Sequence, residues 1–111
     1  MQFAHKNLAA GRWFTLSLAE QLGNIGSEVG RARKWEGRDR ESFSGAVDRA
    51  LELFDLTLAD ERWRGRRYEI ARAREVFCDT AVGEREYQSS LETLERYFND
   101  FAYMARNYAV T

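Results

Sequence analysis

Arginine and aromatic side chains are mixed in the run ERWRGRR, residues 61–67, and occur close together again near both ends of the chain. Guanidinium groups bind phosphates and stack on bases, and aromatic rings give further stacking surfaces, so the combination is typical of single-stranded nucleic-acid binding. The alternative is structural: the rings cap a hydrophobic core and the arginines pair with nearby acids. The candidate binding set is Arg12, Trp13, Arg62, Trp63, Arg66, Arg67, Arg106 and Tyr108.

Catalytic and metal-binding patterns are weak. Asp48, Glu52 and Asp55 recur at spacings of four and three, and on a helix they form one acidic strip that could bind a cation. Such a strip is more often solvated or salt-bridged. The sole histidine, His5, cannot supply the two Glu-x-x-His pairs of a di-iron bundle, nor a usual zinc site or a Ser-His-Asp triad. We therefore expect no catalytic residue, metal or cofactor, and regard an enzyme as uncertain and disfavoured.

Composition limits the remaining classes of function. A chain of 111 residues with 44% apolar and 32% charged residues predicts one globular domain. The net charge of −1 argues against nucleic-acid binding by the molecule as a whole. Cys78 is the only cysteine, which fits a reducing cytoplasm, and no apolar run approaches the ~20 residues that span a membrane. The first residues loosely resemble a signal peptide, but Arg12 interrupts the apolar run, so we expect a folded N-terminus after a frayed lead-in.

Hydrophobic periodicity predicts four helices, at about residues 10–36, 41–60, 66–82 and 89–108. The second is the most apolar and is predicted to be central. The fourth has a predicted capping box in which Ser89 and Glu92 cap its first turn. Four helices joined by short connections predict an all-α, up-down-up-down bundle, which would gather the candidate binding set at one end.

One face of the first helix is lined by small residues, namely Ala19, Gly23, Gly26 and Gly30. A glycine inside a helix costs about 1 kcal/mol relative to alanine, so we expect this face to allow close approach of another backbone or ring. The alternative is a marginally stable helix that tolerates glycines.

Ion pairs between neighbouring helices can be predicted by counting outward from each turn. The second and third helices should pair Asp55 with Arg72 and Glu52 with Arg74, and the first turn should bring Glu28 to Arg49.

The third helix has a thin apolar stripe, with alanine at two of its four positions, whereas the second has apolar residues pointing in many directions. The excess predicts an exposed apolar patch and hence a homodimer through Leu53 and Leu56 of the second helix. The glycine-lined face is the next candidate, and a monomer with a covered central helix is the alternative.

Four segments, NIGSEVGRA (24–32), RALELFDLTLAD (49–60), EIARAREVF (69–77) and RYFNDFAYMARN (96–107), together resemble a small uncharacterised bacterial and archaeal helical family, and this resemblance implies no activity. The chain is also similar, more weakly, to the HEPN superfamily of helical bundles, many of which bind or cleave RNA. The HEPN motif is an arginine, often followed by asparagine, with a histidine four to six residues after the arginine. Arg106 and Asn107 resemble its first half, but the histidine is absent.

The sequence therefore predicts a non-catalytic helical binding or assembly module that self-associates. The alternative is a HEPN-like domain that binds RNA or a nucleotide through the arginine–aromatic set.

Overall fold

The computed structural model describes residues 11–83 and 90–108, with side chains up to residue 103. In these ranges the protein is all-helical and contains no strand, which confirms an all-α fold with four helices. Two 3-10 turns precede α1 and α3. The elements in order are a first turn Arg12–Thr15, α1 Leu18–Trp35, α2 Arg40–Leu58, a second turn Glu61–Arg66, α3 Arg67–Val82 and α4 Leu91–Tyr108. None of the helices in the described ranges is long and apolar enough to cross a membrane.

The start of α1 was predicted near residue 10, and this is wrong. Ser17 and Glu20 form a capping box: the Glu20 amide donates to Ser17 Oγ at 3.1 Å, and the Ser17 amide donates to Glu20 Oε1 at 2.9 Å. These bonds satisfy two amides that have no partner inside the helix, so α1 begins at Leu18. The chain before it forms a separate 3-10 turn, and the predicted lead-in, residues 1–9, lies outside the described residues.

The capping of α4 was also assigned to the wrong serine. The Thr93 amide donates to Ser90 Oγ at 3.1 Å and the Leu94 amide donates to the Ser90 carbonyl at 3.0 Å, so Ser90 is the capping residue. Ser89 lies outside the described residues. At the other predicted boundary, α2 ends at Leu58 rather than at residue 60, because Asp60 caps the second turn by accepting from the Arg62 amide at 3.0 Å.

The glycines of α1 pack directly against α4, as predicted. A Cβ added at Gly23 would lie 2.9 Å from Ala102 Cα, and one at Gly26 would lie 2.6 Å from Phe98 Cβ. At Gly30 the added atom would lie 2.5 Å from Glu95 Oε2. Residue numbers rise along α1 as they fall along α4, so the two helices run in opposite directions along this contact.

Phe54 of α2 lies in the middle of the core, but α1, which packs against both α2 and α4, has the most extensive helix contacts, so the prediction that α2 is the central helix is not confirmed. Phe54 is fully buried, and its ring lies 6.0 Å from that of Phe77 on α3 and 5.8 Å from that of Phe98 on α4. Leu53 and Leu56 are also buried. The predicted dimer contact through these two leucines is therefore wrong, because the chain covers them itself; the glycine-lined face is likewise covered by α4.

The predicted ion pairs are correct between α1 and α2 and shifted between α2 and α3. Arg49 Nε lies 3.2 Å from Glu28 Oε1, as expected. Asp55 is bonded by Arg74 at 3.0 Å rather than by Arg72. The shift arises because the second 3-10 turn occupies six residues, which moves α3 by about half a helical turn relative to simple counting.

Candidate functional site

Trp13, a member of the predicted binding set, is part of the core. Its side chain is 1% exposed and its indole N–H donates to Thr57 Oγ1 at 3.1 Å. The backbone carbonyl of Trp13 accepts from Gln21 Nε2 at 2.9 Å, and the same nitrogen donates to Asp60 Oδ2 at 3.0 Å. Trp13 therefore fastens the first turn to α1 and α2 and presents no stacking surface.

Arg62 is held by Asp60. The guanidinium donates to Asp60 Oδ1 through Nε at 3.0 Å and to Oδ2 through Nη2 at 2.7 Å, and Nη2 also reaches the Leu16 carbonyl at 2.6 Å. The Asp60 residue is 3% exposed, and its hydrogen bonds to Arg62 lower the pKa of this carboxyl despite its burial. A bidentate pair of this kind fixes the position of both groups. The Arg62 guanidinium therefore stabilises the fold with donors that a ligand would otherwise use.

Trp63, Arg66 and Arg67 also have partners within the chain. Trp63 Nε1 donates to Gln21 Oε1 at 2.8 Å, and the Arg62 guanidinium lies 4.4 Å from the centre of the Trp63 ring. Arg67 Nε donates to the Leu58 carbonyl at 3.1 Å and Nη2 contacts Glu61 at 3.1 Å. Arg66 forms a two-pronged pair with Glu69, at 3.0 and 3.3 Å.

Tertiary structure therefore brings five of the eight predicted residues to one region, where their polar groups are bonded mainly to the protein itself. Arg12 is exposed in the adjoining first turn, and the side chains of Arg106 and Tyr108 lie outside the described part of the chain. Gln21 joins these residues and was missed. The sequence did contain an indication of its role. Gln21 is a polar residue four positions before Ile25, so it lies on the face of α1 that the apolar spacing predicts to be buried.

A different surface has the properties of a docking site. An apolar groove of about 420 Å³ runs between α3 and α4, whose contact with each other is slight. The groove exists because α3 presents small side chains, Ala73 and Val76, toward α4. The lining residues are Tyr68, Glu69, Arg72, Ala73, Val76, Thr93, Leu94 and Tyr97.

Large apolar side chains are exposed on α3 and α4, and two of them line this groove. Tyr68 is 84% exposed at its edge, Val82 is 65% exposed at the end of α3, and Tyr97 is 44% exposed on α4. The Tyr97 ring is fixed by edge-on contacts to Phe98 at 5.1 Å and Phe101 at 5.3 Å. Partial burial raises the pKa of the Tyr97 hydroxyl, with the Glu69 carboxylate adding to the effect, so it stays a neutral donor at physiological pH.

The groove and its edge, together called the α3–α4 face, can bind apolar surface. Glu69, which lines the groove, is paired with Arg66, and Arg96 of α4 is paired with Glu92 one turn before it. No group of three or more metal-ligating side chains occurs within residues 11–83 and 90–103. The acidic strip of α2 contributes Asp55 to an ion pair with Arg74.

Comparison with known proteins finds no family model, no curated protein and no solved structure that matches this chain. In the part of the chain that the structure describes, fold and surface together define an all-α domain of four helices with an apolar face between α3 and α4.

Proposed function

We propose that this protein is a non-catalytic helical assembly module that forms a homodimer through the α3–α4 face. In this proposal the four helices form an up-down-up-down bundle that works in a reducing cytoplasm. The up-down arrangement is supported by the opposed directions of α1 and α4, and the location by the single cysteine.

The observation that carries the proposal is the distribution of apolar surface. The apolar faces of α1 and α2 are covered within the chain, whereas Tyr68 and Tyr97 stay exposed in the lining of an open groove and Val82 stays exposed at the end of α3. Exposed apolar patches with polar edges mark interaction sites on soluble proteins. Aromatic side chains are enriched in interface centres because they bury large areas with little loss of rotamer freedom.

A role in binding RNA or a nucleotide, as the HEPN resemblance implies, rests on the arginine–aromatic set. Its support is weaker, because Arg62 and Arg67 donate to backbone carbonyls and carboxylates of the same chain and Trp13 is buried. A phosphate would have to compete with these bonds for the same donors.

Light scattering tests the proposal. The mass should rise from the 12.9 kDa of one chain toward twice that value as concentration increases from about 1 to 100 μM, a range suited to a small interface. Tyr68→Ser should shift the transition to higher concentration, because it removes the most exposed ring of the α3–α4 face. Tyr103→Ser is the matched control: Tyr103 is 62% exposed on α4 but is not among the groove residues, so its loss should leave the mass profile unchanged.

A mass that stays at one chain throughout the range would refute self-association. Titration with fluorescent single-stranded RNA at low and moderate salt tests the RNA-binding alternative, since phosphate-driven binding weakens steeply as salt rises. Salt-sensitive RNA binding by a protein that stays monomeric would favour that alternative.

A further inference from the structure

Of the first three helices, α3 contributes the smallest share of its residues to the core. Three of its 16 residues are buried, namely Ile70, Phe77 and Thr80, compared with eight of 18 in α1 and seven of 19 in α2. A helix of this length is marginal by itself in water and gains most of its stability from the packing of its apolar face. We therefore expect α3 to be the least stable of the three.

The packing that holds α3 in place is made mainly with α2. The Phe77 ring lies 6.0 Å from the Phe54 ring, and Arg74 Nε donates to Asp55 Oδ1 at 3.0 Å. Toward α4, by contrast, α3 leaves the groove open, and the two helices are in slight contact. The position of α3 therefore depends on one neighbour, whereas α2 is packed against both α1 and α3.

The elements on both sides of α3 in the chain are held to α1. Before α3, the second turn is bonded to Gln21, which accepts from Trp63 Nε1 at 2.8 Å and donates to Asp60 Oδ2 at 3.0 Å. After α3, helix α4 packs so closely on Gly26 that an added Cβ would lie 2.6 Å from Phe98 Cβ. These contacts involve no residue of α3, so they can remain when α3 unfolds.

We propose that α3 is an order–disorder switch, which unfolds locally while α1, α2 and α4 stay packed and whose folding completes the α3–α4 face. The part that concerns this face rests on the proposed self-association. Local unfolding requires no movement of the neighbouring helices. The 16 residues of α3 are about 24 Å long as a helix, and a flexible chain of 16 residues has an average end-to-end distance of about 20–24 Å. The unfolded segment therefore spans the same distance without strain.

This local unfolding controls the surface that is proposed to self-associate. Tyr68, Ala73 and Val76 of α3 line the groove, so the α3–α4 face is lost when α3 unfolds. A second copy binds the folded form of α3 only, and binding to one form shifts the equilibrium toward it. Folding of α3 and self-association are then coupled, and each stabilises the other.

Hydrogen exchange of the unmodified protein, measured by mass spectrometry in low concentrations of urea, tests the local unfolding. Amides of α3 should exchange about 10-fold or more faster than the buried amides of α1. Their rates should also depend less on urea, because local unfolding exposes less surface than global unfolding. Equal rates and equal urea dependence in α3 and α1 would refute the inference, since α3 would then unfold only together with the rest of the protein.

Two matched variants give a second test. Phe77→Leu and Phe98→Leu make the same change at fully buried rings that both pack on Phe54, one from α3 and one from α4. Phe98 keeps its contact with Phe54 when α3 alone unfolds, so Phe98→Leu should accelerate exchange in α1 about 5-fold and leave exchange in α3 unchanged. Phe77→Leu should accelerate exchange in α3. If Phe98→Leu accelerated α3 as much as α1, local unfolding of α3 would be excluded.

Protein concentration separates this inference from the proposed self-association. Exchange in α3 should slow between about 1 and 100 μM, in parallel with the rise in mass measured by light scattering. A mass that rises while α3 exchanges equally fast at both concentrations would overturn the coupling and leave self-association intact. A mass that stays at one chain while α3 exchanges faster than α1 would end the self-association and its coupling, and would leave the local unfolding of α3 supported.

Discussion

Replacing Gly26 with alanine should destabilise the protein, although alanine is the better helix former. An added Cβ would lie 2.6 Å from Phe98 Cβ and 3.3 Å from the Phe98 carbonyl carbon. Ordinary carbon contacts are about 3.5–4.0 Å, so α1 and α4 would have to separate locally by about 1 Å. Phe98 cannot yield easily, because it is fully buried with its ring against Phe54.

The expected magnitude follows from two opposed terms. Overpacking of this kind costs about 1–3 kcal/mol, whereas exchanging glycine for alanine inside a helix returns about 1 kcal/mol. The net loss should therefore be about 1 kcal/mol, the middle of the overpacking range less the gain in helix propensity. A larger side chain should reduce the free energy of unfolding further. For Gly26→Leu we expect a loss of about 1–3 kcal/mol, provided that the two helices can partly separate.

Guanidinium denaturation followed by circular dichroism measures this loss, and Gly45→Ala supplies the matched control. Gly45 lies inside α2, and its added Cβ would meet only the end of the flexible Arg49 side chain, at 3.2 Å. This variant should gain about 0.5–1 kcal/mol from helix propensity. If Gly26→Ala stabilised the protein as much as Gly45→Ala, the close α1–α4 contact would be refuted.

Two further predictions concern the polar network around Gln21. Gln21→Ala should reduce the free energy of unfolding by about 2–4 kcal/mol, because it leaves the Trp63 N–H and the buried Asp60 carboxylate short of partners, and urea denaturation measures the loss. The environment of Asp60 predicts that the protein is sensitive to acid. In the folded state the pKa of this carboxyl lies below its ordinary value of 3.8. Its contribution to stability is therefore full above pH 3.8 and is lost as the pH falls through the lower folded pKa. Unfolding measured from pH 6 to about 2 should show this loss, and Asp60→Asn should flatten that part of the profile; an equally steep profile for the variant would assign the acid sensitivity to other carboxyl groups.

The sequence alone determined the helices, because their signals are local. Apolar residues at helical spacing identified all four, and glycines confined to one face of α1 indicated a close neighbour. Boundaries were less certain because several residues nearby could cap each helix. Ser17 and Ser90 each lie near other polar residues that could also cap the helix. The geometry of one or two hydrogen bonds determines which residue is the cap.

The site depended on contacts between distant parts of the chain. Sequence reasoning brought Trp13, Arg62 and Trp63 together but could not determine their partners. Gln21 lies 39 residues from Asp60 and 42 from Trp63, and only packing makes it their common hydrogen-bond partner.

The apolar surface was decided by tertiary structure for the same reason. Periodicity shows how much apolar surface each helix has, and from it α2 seemed to have an excess. Packing determines which part is covered: α2 is enclosed by its neighbours, whereas the small residues of α3 leave a groove beside Tyr68 and Tyr97. The sequence thus predicted that apolar surface would remain exposed, and the arrangement of the helices placed it on α3 and α4, because burial is a property of neighbours and not of the segment itself.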